Sequence, residues 1–221
     1  MLGTTGNTAA NNLLTTWQTL ILPYVEQTTV YSQYDFNVRF DHANNASAVI
    51  KNLPVYLCPS QPANGTVNGL FGSSHYAANA GTTLGADDGM LFSLSSVRFR
   101  DATDGISNTL SVGEIAFEFG GWARGANNSG VGSGGGTGQG FARSVLRWWK
   151  ATPACARPGM NPPVTTCSSS VERQFQFSSP HVGGCHFSMC DGSGRFISEN
   201  IDVNIFRALT TRNGGEVVGE F

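Results

Sequence analysis

Charged side chains are scarce in this chain of 221 residues, at 13% of the total, against about 25% in typical soluble domains. This scarcity excludes a charged disordered chain, a coiled coil and a strongly basic nucleic-acid binder. No apolar run approaches the roughly 18 residues of a membrane helix, and the first residues lack the basic start and apolar stretch of a signal peptide. We therefore expect a cytosolic protein or one that has lost a leader, and the Gly/Thr/Asn-rich start favours a truncated or processed chain.

Metal-ligand spacing is also missing among the five cysteines, which are Cys58, Cys155, Cys167, Cys185 and Cys190. No CxxC pair and no Cys/His spacing typical of zinc sites occurs, so the sequence predicts no structural zinc. Cys155 and Cys167 flank a Pro/Gly-containing loop and could close it with a disulfide. Cys185 and Cys190 are not expected to pair with each other, because on one strand their Cα atoms would lie about 16 Å apart, against a limit of about 7 Å. Five reduced, buried thiols are the alternative.

The residues that are abundant favour a loop-rich protein that contains β-structure. Hydrophobic residues make up 40% of the chain, enough for a core, and there are 28 glycines. The net charge of −2 is uneven, because residues 120–171 contain no Asp or Glu but several Arg and Lys. This cationic segment could dock to a neighbouring copy or an anionic polymer. The alternative is a solvated loop whose charges have no specific partner.

Hydrophobic periodicity predicts an α+β fold with a helix near the N-terminus and a mostly antiparallel sheet. Helices are predicted at 13–34 (interrupted at Pro23), 44–51 and 203–210. β-structure is predicted at 54–58, 75–79, 89–92, 96–100, 110–118, 185–190, 195–198 and 217–218. The Asp191-Gly192 pair between two apolar runs is a strong hairpin signal. We expect one domain over 1–221, with a glycine-rich loop insertion at about 120–170 that contains a short ordered element at 141–150.

Several motifs coincide in one order along the chain, at residues 17–27, 57–60, 104–109, 112–114 and 212–216. His181 also stands nine residues before Asp191-Gly192. Together these motifs resemble the DUF1559 family of bacterial prepilin-like proteins, whose C-terminal signature is written H-X9-DG. The resemblance implies a pilin-like fold and an extracellular or cell-envelope location. It also implies membrane contact only through an N-terminal helix that this sequence lacks, and partners that are copies of itself or other pilin-like subunits.

The resemblance further implies structural roles for the motif residues, which are Cys58, Pro59, Asp104, Gly105, Ser107, Asn108, His181, Asp191 and Gly192. Family members often carry a cysteine just after the N-terminal helix. If that cysteine pairs with the position matching Cys58, then Cys58 is left single here. Cys185 and Cys190 are not typical of the motif, and could cross-link to the insertion instead.

A hydrolase centred on His181 and Asp191 is a competing hypothesis, because Ser178, Ser179 and Ser193 are near in sequence. However, the chain has no G-x-S-x-G nucleophile elbow, and an aspartate in an Asp-Gly turn most often bonds its own backbone. We therefore predict no catalytic residue. We also expect no cofactor, although Asp101, Asp104 and Asn108 could present oxygens to calcium.

Aromatic and cationic residues in the insertion form a candidate contact surface for another protein or a glycan. They are Trp122, Arg147, Trp148, Trp149 and Lys150. The alternative is that these side chains fold back and cover the sheet. The sequence thus predicts a non-enzymatic structural subunit of a surface assembly, with an extracellular glycan- or solute-binding module as the alternative.

Overall fold

A computed structural model describes residues 13–62, 65–116, 121–125, 145–150, 159–162, 175–219 and 221. The α-helices are α1 (Trp17–Ile21), α2 (Thr28–Ser32), α3 (Ala46–Val49) and α4 (Val203–Thr210). Short 3-10 helices lie at Leu22–Val25, Ala43–Asn45, Pro54–Tyr56 and Phe99–Asp101. The strands are β1 (Thr66–Val67), β2 (Phe71–Gly72), β3 (Tyr76–Gly81), β4 (Leu110–Glu114), β5 (Leu146–Trp148), β6 (Gly184–Met189) and β7 (Gly194–Ser198).

The main sheet has five strands in the order β5-β3-β4-β6-β7, beside a separate two-stranded β1-β2 ribbon. Every pairing in the main sheet is antiparallel except β5, which runs parallel to β3. The predicted α+β class, with a mostly antiparallel sheet, is therefore confirmed. None of the helices in the described part of the chain has the length and apolar character needed to cross a bilayer.

The predicted C-terminal hairpin is confirmed by the pairing of β6 with β7, in register from Gly184 opposite Ser198 to Ser188 opposite Gly194. Gly192 in the connecting turn has a φ of 87°, a left-handed conformation that glycine adopts without steric cost. The helix predicted at 203–210 is also confirmed as α4. Its cap is Asp202, whose Oδ1 accepts from the backbone N–H groups of Asn204 and Ile205 at 2.8 and 3.2 Å.

The predicted N-terminal helix is divided into short pieces. Thr16 caps α1 by accepting a hydrogen bond from the Thr19 N–H at 3.0 Å. Pro23 then lies in a 3-10 turn that ends at Glu26, which has a left-handed φ of 60°. Proline has no N–H to continue the α-helical ladder, so the chain turns before α2 begins.

Four predicted strands are wrong. Residues 54–58 begin as a 3-10 turn, because Pro54 occupies its first position with a pre-set φ. Residues 89–92 form bends and irregular structure. Two backbone bonds tie them to the end of β3, from the Gly89 N–H to the Ala80 carbonyl and from the Leu91 N–H to the Asn79 carbonyl. Residues 96–100 and 217–218 likewise contain no strand.

Three apolar clusters form the core around the sheet. The first packs Trp17 and Trp148 against β3, and the second gathers the N-terminal turns around Phe40 and Trp122. The third packs α4, through Phe206 and Leu209, against β6. The first and third clusters share strand β4, through Val112 and Leu110, whereas the second packs against the β1-β2 ribbon through Val67 and Phe71.

Candidate metal centre

Three segments that are distant in sequence meet beside the end of β4. Cys58 follows the 3-10 turn at Pro54–Tyr56, Glu114 is the last residue of β4, and His181 lies just before β6. The His181 Nε2 atom is 3.2 Å from Glu114 Oε1 and 3.6 Å from Cys58 Sγ. The ligand atoms of all three residues lie within 4.8 Å of one another.

Each of these three residues is held by a hydrogen bond of its own main chain. The Cys58 N–H donates to His75 Nδ1 at 3.0 Å, and the His75 N–H donates to the Tyr56 carbonyl at 2.8 Å. The Glu114 carbonyl accepts from the Ser178 N–H at 3.1 Å. The His181 N–H donates to the Ser179 hydroxyl at 3.2 Å. The bonds of Cys58 and Glu114 reach segments that are remote in sequence, whereas the bond of His181 is local.

Two further histidines lie in the same region, His186 against the Glu114 carboxylate and His75 against Cys58. The His186 N–H donates to Glu114 Oε2 at 2.7 Å, and the His186 Nδ1 atom lies 3.3 Å from the same oxygen. His75 contacts the backbone of Cys58, and burial lowers the pKa of its imidazole. Its Nδ1 accepts the Cys58 N–H, so the neutral ring carries its proton on Nε2. Three of the chain's four histidines are therefore grouped near one carboxylate.

Burial differs among the three converging side chains. The Glu114 side chain is 4% exposed and the His181 side chain 25%, and Cys58 is 5% exposed. His181 therefore forms the solvent side of the cluster, with the thiol and the carboxylate beneath it.

The geometry is that of converging ligands and differs from a nucleophile–base–acid relay. In such a relay the base contacts the nucleophile with one ring nitrogen and the orienting acid with the other. Here the same His181 nitrogen, Nε2, faces both Cys58 Sγ and Glu114 Oε1. A thiol this deeply buried is also poorly placed to attack a substrate.

Asp191, the second residue of the H-X9-DG motif, has a different role from His181. Its Oδ1 accepts from the Ser193 N–H at 2.8 Å and from the Ser193 hydroxyl at 2.7 Å. These bonds, with a smaller contribution from Ser107, lower the pKa of Asp191 to about 2. In the part of the chain that the structure describes, Asp191 and His181 share no hydrogen bond.

The Asp101 and Asp104 carboxylates considered for calcium accept hydrogen bonds from the protein's own backbone, and Asn108 bonds through its NH2 group. Asp104 Oδ2 and Oδ1 accept from the N–H groups of Gly214 and Gly215 at 2.7 and 2.9 Å. The Asn108 side chain donates to the Asp104 carbonyl at 3.3 Å, and Asp101 Oδ2 accepts from the Arg98 N–H at 2.8 Å. Over the described ranges, a group of three or more His, Cys, Asp or Glu ligands occurs at Cys58, Glu114 and His181 and does not include these residues.

The expected disulfides at Cys185 and Cys190 are not formed, because both residues are free, buried thiols. Cys185 belongs to the core beneath α4, and its Sγ lies 3.7 Å from Asn161 Oδ1. Cys190 belongs to the core around Trp148. The two thiols therefore face different cores, and burial raises the pKa of both. The other two disulfide candidates, Cys155 and Cys167, lie outside the described residues, as does most of the predicted insertion.

The expected contact surface of the insertion is wrong for three of its five residues. Trp122, Arg147 and Trp148 are fully buried, and the Trp122 indole N–H donates to the Lys51 carbonyl at 2.8 Å. Trp149 and Lys150 are partly exposed. Trp148 packs in the core against β3 and Trp122 packs among the N-terminal turns, so the expected contact surface loses most of its residues.

Comparison with known families agrees with the motif order. The profile of a family described as "Protein of unknown function (DUF1559)" matches residues 2–204. This chain belongs to the DUF1559 family. No curated protein and no solved structure gives a match. Each of the three converging residues of this DUF1559 protein lies in one of the motifs quoted above, at 57–60, at 112–114 and at the histidine of H-X9-DG.

Proposed function

We propose that this DUF1559 protein is a non-enzymatic structural subunit of an extracellular or cell-envelope assembly, with copies of itself or other pilin-like subunits as partners. One observation supports this function above the others: both named residues of the H-X9-DG motif are engaged in holding the fold. His181 joins the segment before β6 to the end of β4 through Glu114. Asp191 closes the turn between β6 and β7.

The serines near the motif support the same function. The Ser178 hydroxyl accepts from the Ala116 N–H at 2.9 Å, and the Ser179 hydroxyl accepts from the His181 N–H. The Ser193 hydroxyl donates to Asp191. A nucleophilic serine must donate its proton to a base such as His181. Among the described residues, the bonds of these three hydroxyls go to the Ala116 N–H, the His181 backbone N–H and Asp191, and not to the His181 ring.

The test is to locate the full-length gene product in the cells that make it. We expect a tagged chain to be recovered in material sheared from the cell surface, and to form cross-linked species larger than the monomer. Recovery only as a monomer inside the cell would contradict the proposal.

An activity screen tests the non-enzymatic part of the same proposal. The purified protein is incubated with ester, peptide, phosphoester and glycoside probes, beside the His181→Ala variant as the matched control. We expect no turnover that depends on His181. Turnover by the wild type that the variant loses would show that the motif is catalytic.

A further inference from the structure

We propose that Cys58, Glu114 and His181 bind one Zn²⁺ ion, with water in the fourth tetrahedral position. The inference concerns a site within one chain and does not depend on surface assembly. It goes against the sequence-based expectation of no structural zinc, which considered only ligands that are close in sequence.

Two of the three distances between the ligand atoms match a tetrahedral zinc ion, and the third lies within 4.8 Å. Zinc bonds of about 2.3 Å to sulfur and about 2.0–2.2 Å to nitrogen or oxygen place tetrahedral ligands about 3.5 Å (S to N) and about 3.3 Å (N to O) apart. The observed separations are 3.6 Å from Cys58 Sγ to His181 Nε2 and 3.2 Å from His181 Nε2 to Glu114 Oε1. Direct charge-assisted N–H···O bonds are usually shorter, at about 2.7–2.9 Å. The contacts therefore resemble the edges of a coordination polyhedron.

The chemistry of the donor set selects zinc among common cations. Calcium and magnesium prefer sites made entirely of oxygen ligands. A thiolate beside an imidazole suits a borderline-soft ion such as zinc, and a carboxylate is an accepted third ligand. Three protein ligands leave the fourth coordination position for water. An ion would enter from the side of the cluster that His181 forms, because this side is partly exposed to solvent.

Charge gives an independent reason for a cation at this position. The Glu114 side chain is buried, and its ion-pair partners in the described ranges are His181 and His186, with no lysine or arginine. A buried carboxylate without a strong positive partner is costly. Zinc with one thiolate, one carboxylate and neutral imidazole makes a site with no net charge. Binding replaces the Cys58 thiol proton, which passes to solvent, so no electron transfer is needed.

Residues behind the ligands hold them in the binding geometry. His186 occupies Glu114 Oε2 with its backbone N–H and faces it with Nδ1, which leaves Oε1 directed at His181. His75 fixes the backbone at Cys58 through its Nδ1. Such outer contacts orient metal ligands and typically change affinity about 10–100-fold when removed. Because Cys58 and His181 are 123 positions apart, the ion would fasten remote segments to the sheet.

The test uses the complete chain after removal of metal with a chelator. We expect it to take up one Zn²⁺ per chain by elemental analysis, and its melting temperature to rise when zinc is added. Substitution with Co²⁺ is expected to give a thiolate-to-cobalt charge-transfer band and the intense visible bands of tetrahedral cobalt. Magnesium and calcium are expected to produce neither effect.

Matched variants separate this site from other thiols and imidazoles. We expect Cys58→Ser to remove the charge-transfer band, and His181→Ala and Glu114→Gln to weaken zinc binding about 100-fold or more. Cys190→Ser changes another buried thiol, and His42→Ala changes the histidine outside the cluster. Both should bind like the wild type.

Two results would overturn the proposal. The first is a metal-free wild type that takes up no zinc and shows no thiolate band with cobalt. The second is retention of the band in Cys58→Ser together with unchanged zinc affinity in His181→Ala. If a variant fails to fold, the cobalt spectrum of the wild type still tests whether a thiolate binds the metal. Neither result depends on whether the protein assembles at a surface.

Discussion

At the scale of single residues, Asp191 stabilises the last hairpin with a side chain that is exposed to solvent. Its carboxylate accepts two hydrogen bonds from Ser193, and these bonds lower its pKa to about 2. Hydrogen bonds of this kind stabilise the ionised form. The folded state therefore holds this proton less tightly than the unfolded chain does.

This difference predicts a pH dependence for the Asp191→Asn variant. The folded pKa lies below the unfolded value of about 3.9, so the stabilisation is complete above about pH 5 and is lost as the pH falls towards about 2. Urea denaturation should show the wild type more stable than Asp191→Asn at pH 6, with the difference shrinking at pH 2.5. An equal difference at both pH values would contradict this, and the exposed Asn200→Ala substitution serves as the control.

At the scale of elements, local signals account for the parts that the sequence predicted well. The Asp191-Gly192 pair lies in the short connection between β6 and β7, where Gly192 takes a left-handed φ, and the apolar residues on either side form the two strands of the hairpin. The Asp202 cap and the period of the following residues define α4. In each case the residues that determine the local structure lie within a few positions of one another, so the element can be predicted from the sequence alone.

The hairpin also makes a prediction about two of its glycines, Gly184 and Gly194. A Cβ at Gly184 would lie 2.1 Å from the Ile197 carbonyl oxygen, whereas a Cβ at Gly194 would meet nothing within 4 Å. We expect Gly184→Ala to lower the free energy of unfolding by about 1–3 kcal/mol, and Gly194→Ala to change it by less than about 0.5 kcal/mol. Chemical denaturation measures both, and equal effects would show that β6 and β7 are not in this register.

The wrongly predicted strands at 54–58 and 89–92 show that local sequence patterns do not determine which segments join the sheet. Their apolar residues are consistent with a strand, but a strand also needs a partner with a free edge. The edge of β3 pairs with β5, which comes more than sixty positions later in the chain. Residues 89–91 reach only the last residues of β3, and Pro54 directs its own segment into a turn.

At the scale of the whole molecule, distant segments are joined by a small number of polar side chains. Asp104 accepts from the N–H groups of Gly214 and Gly215, which are 110 and 111 positions away. The Arg212 guanidinium donates to the carbonyls of Asp87 and Gly89 at 2.6 and 2.8 Å. These bonds attach the C-terminal segment to the loops beside the sheet.

Removal of the Asp104 carboxylate should therefore release this attachment. We expect Asp104→Ala to lower stability by about 1–2 kcal/mol, and to increase hydrogen exchange at the amides of 214 and 215 ahead of those in β4 and β6. Asp101→Ala is the matched control, because its bond to the Arg98 N–H is local. Unchanged exchange at 214 and 215 would contradict the assigned role.

The sequence by itself determined the α+β class, the final hairpin, the last helix and membership of the DUF1559 family, because each depends on neighbours along the chain or on the order of short motifs. Only the tertiary structure decided that Trp122 and Trp148 are buried, that Cys185 and Cys190 face different cores, and that Cys58, Glu114 and His181 converge. Convergence depends on how strands pair and which faces they bury. The sequence separation of 123 positions between Cys58 and His181 does not show that the two side chains meet.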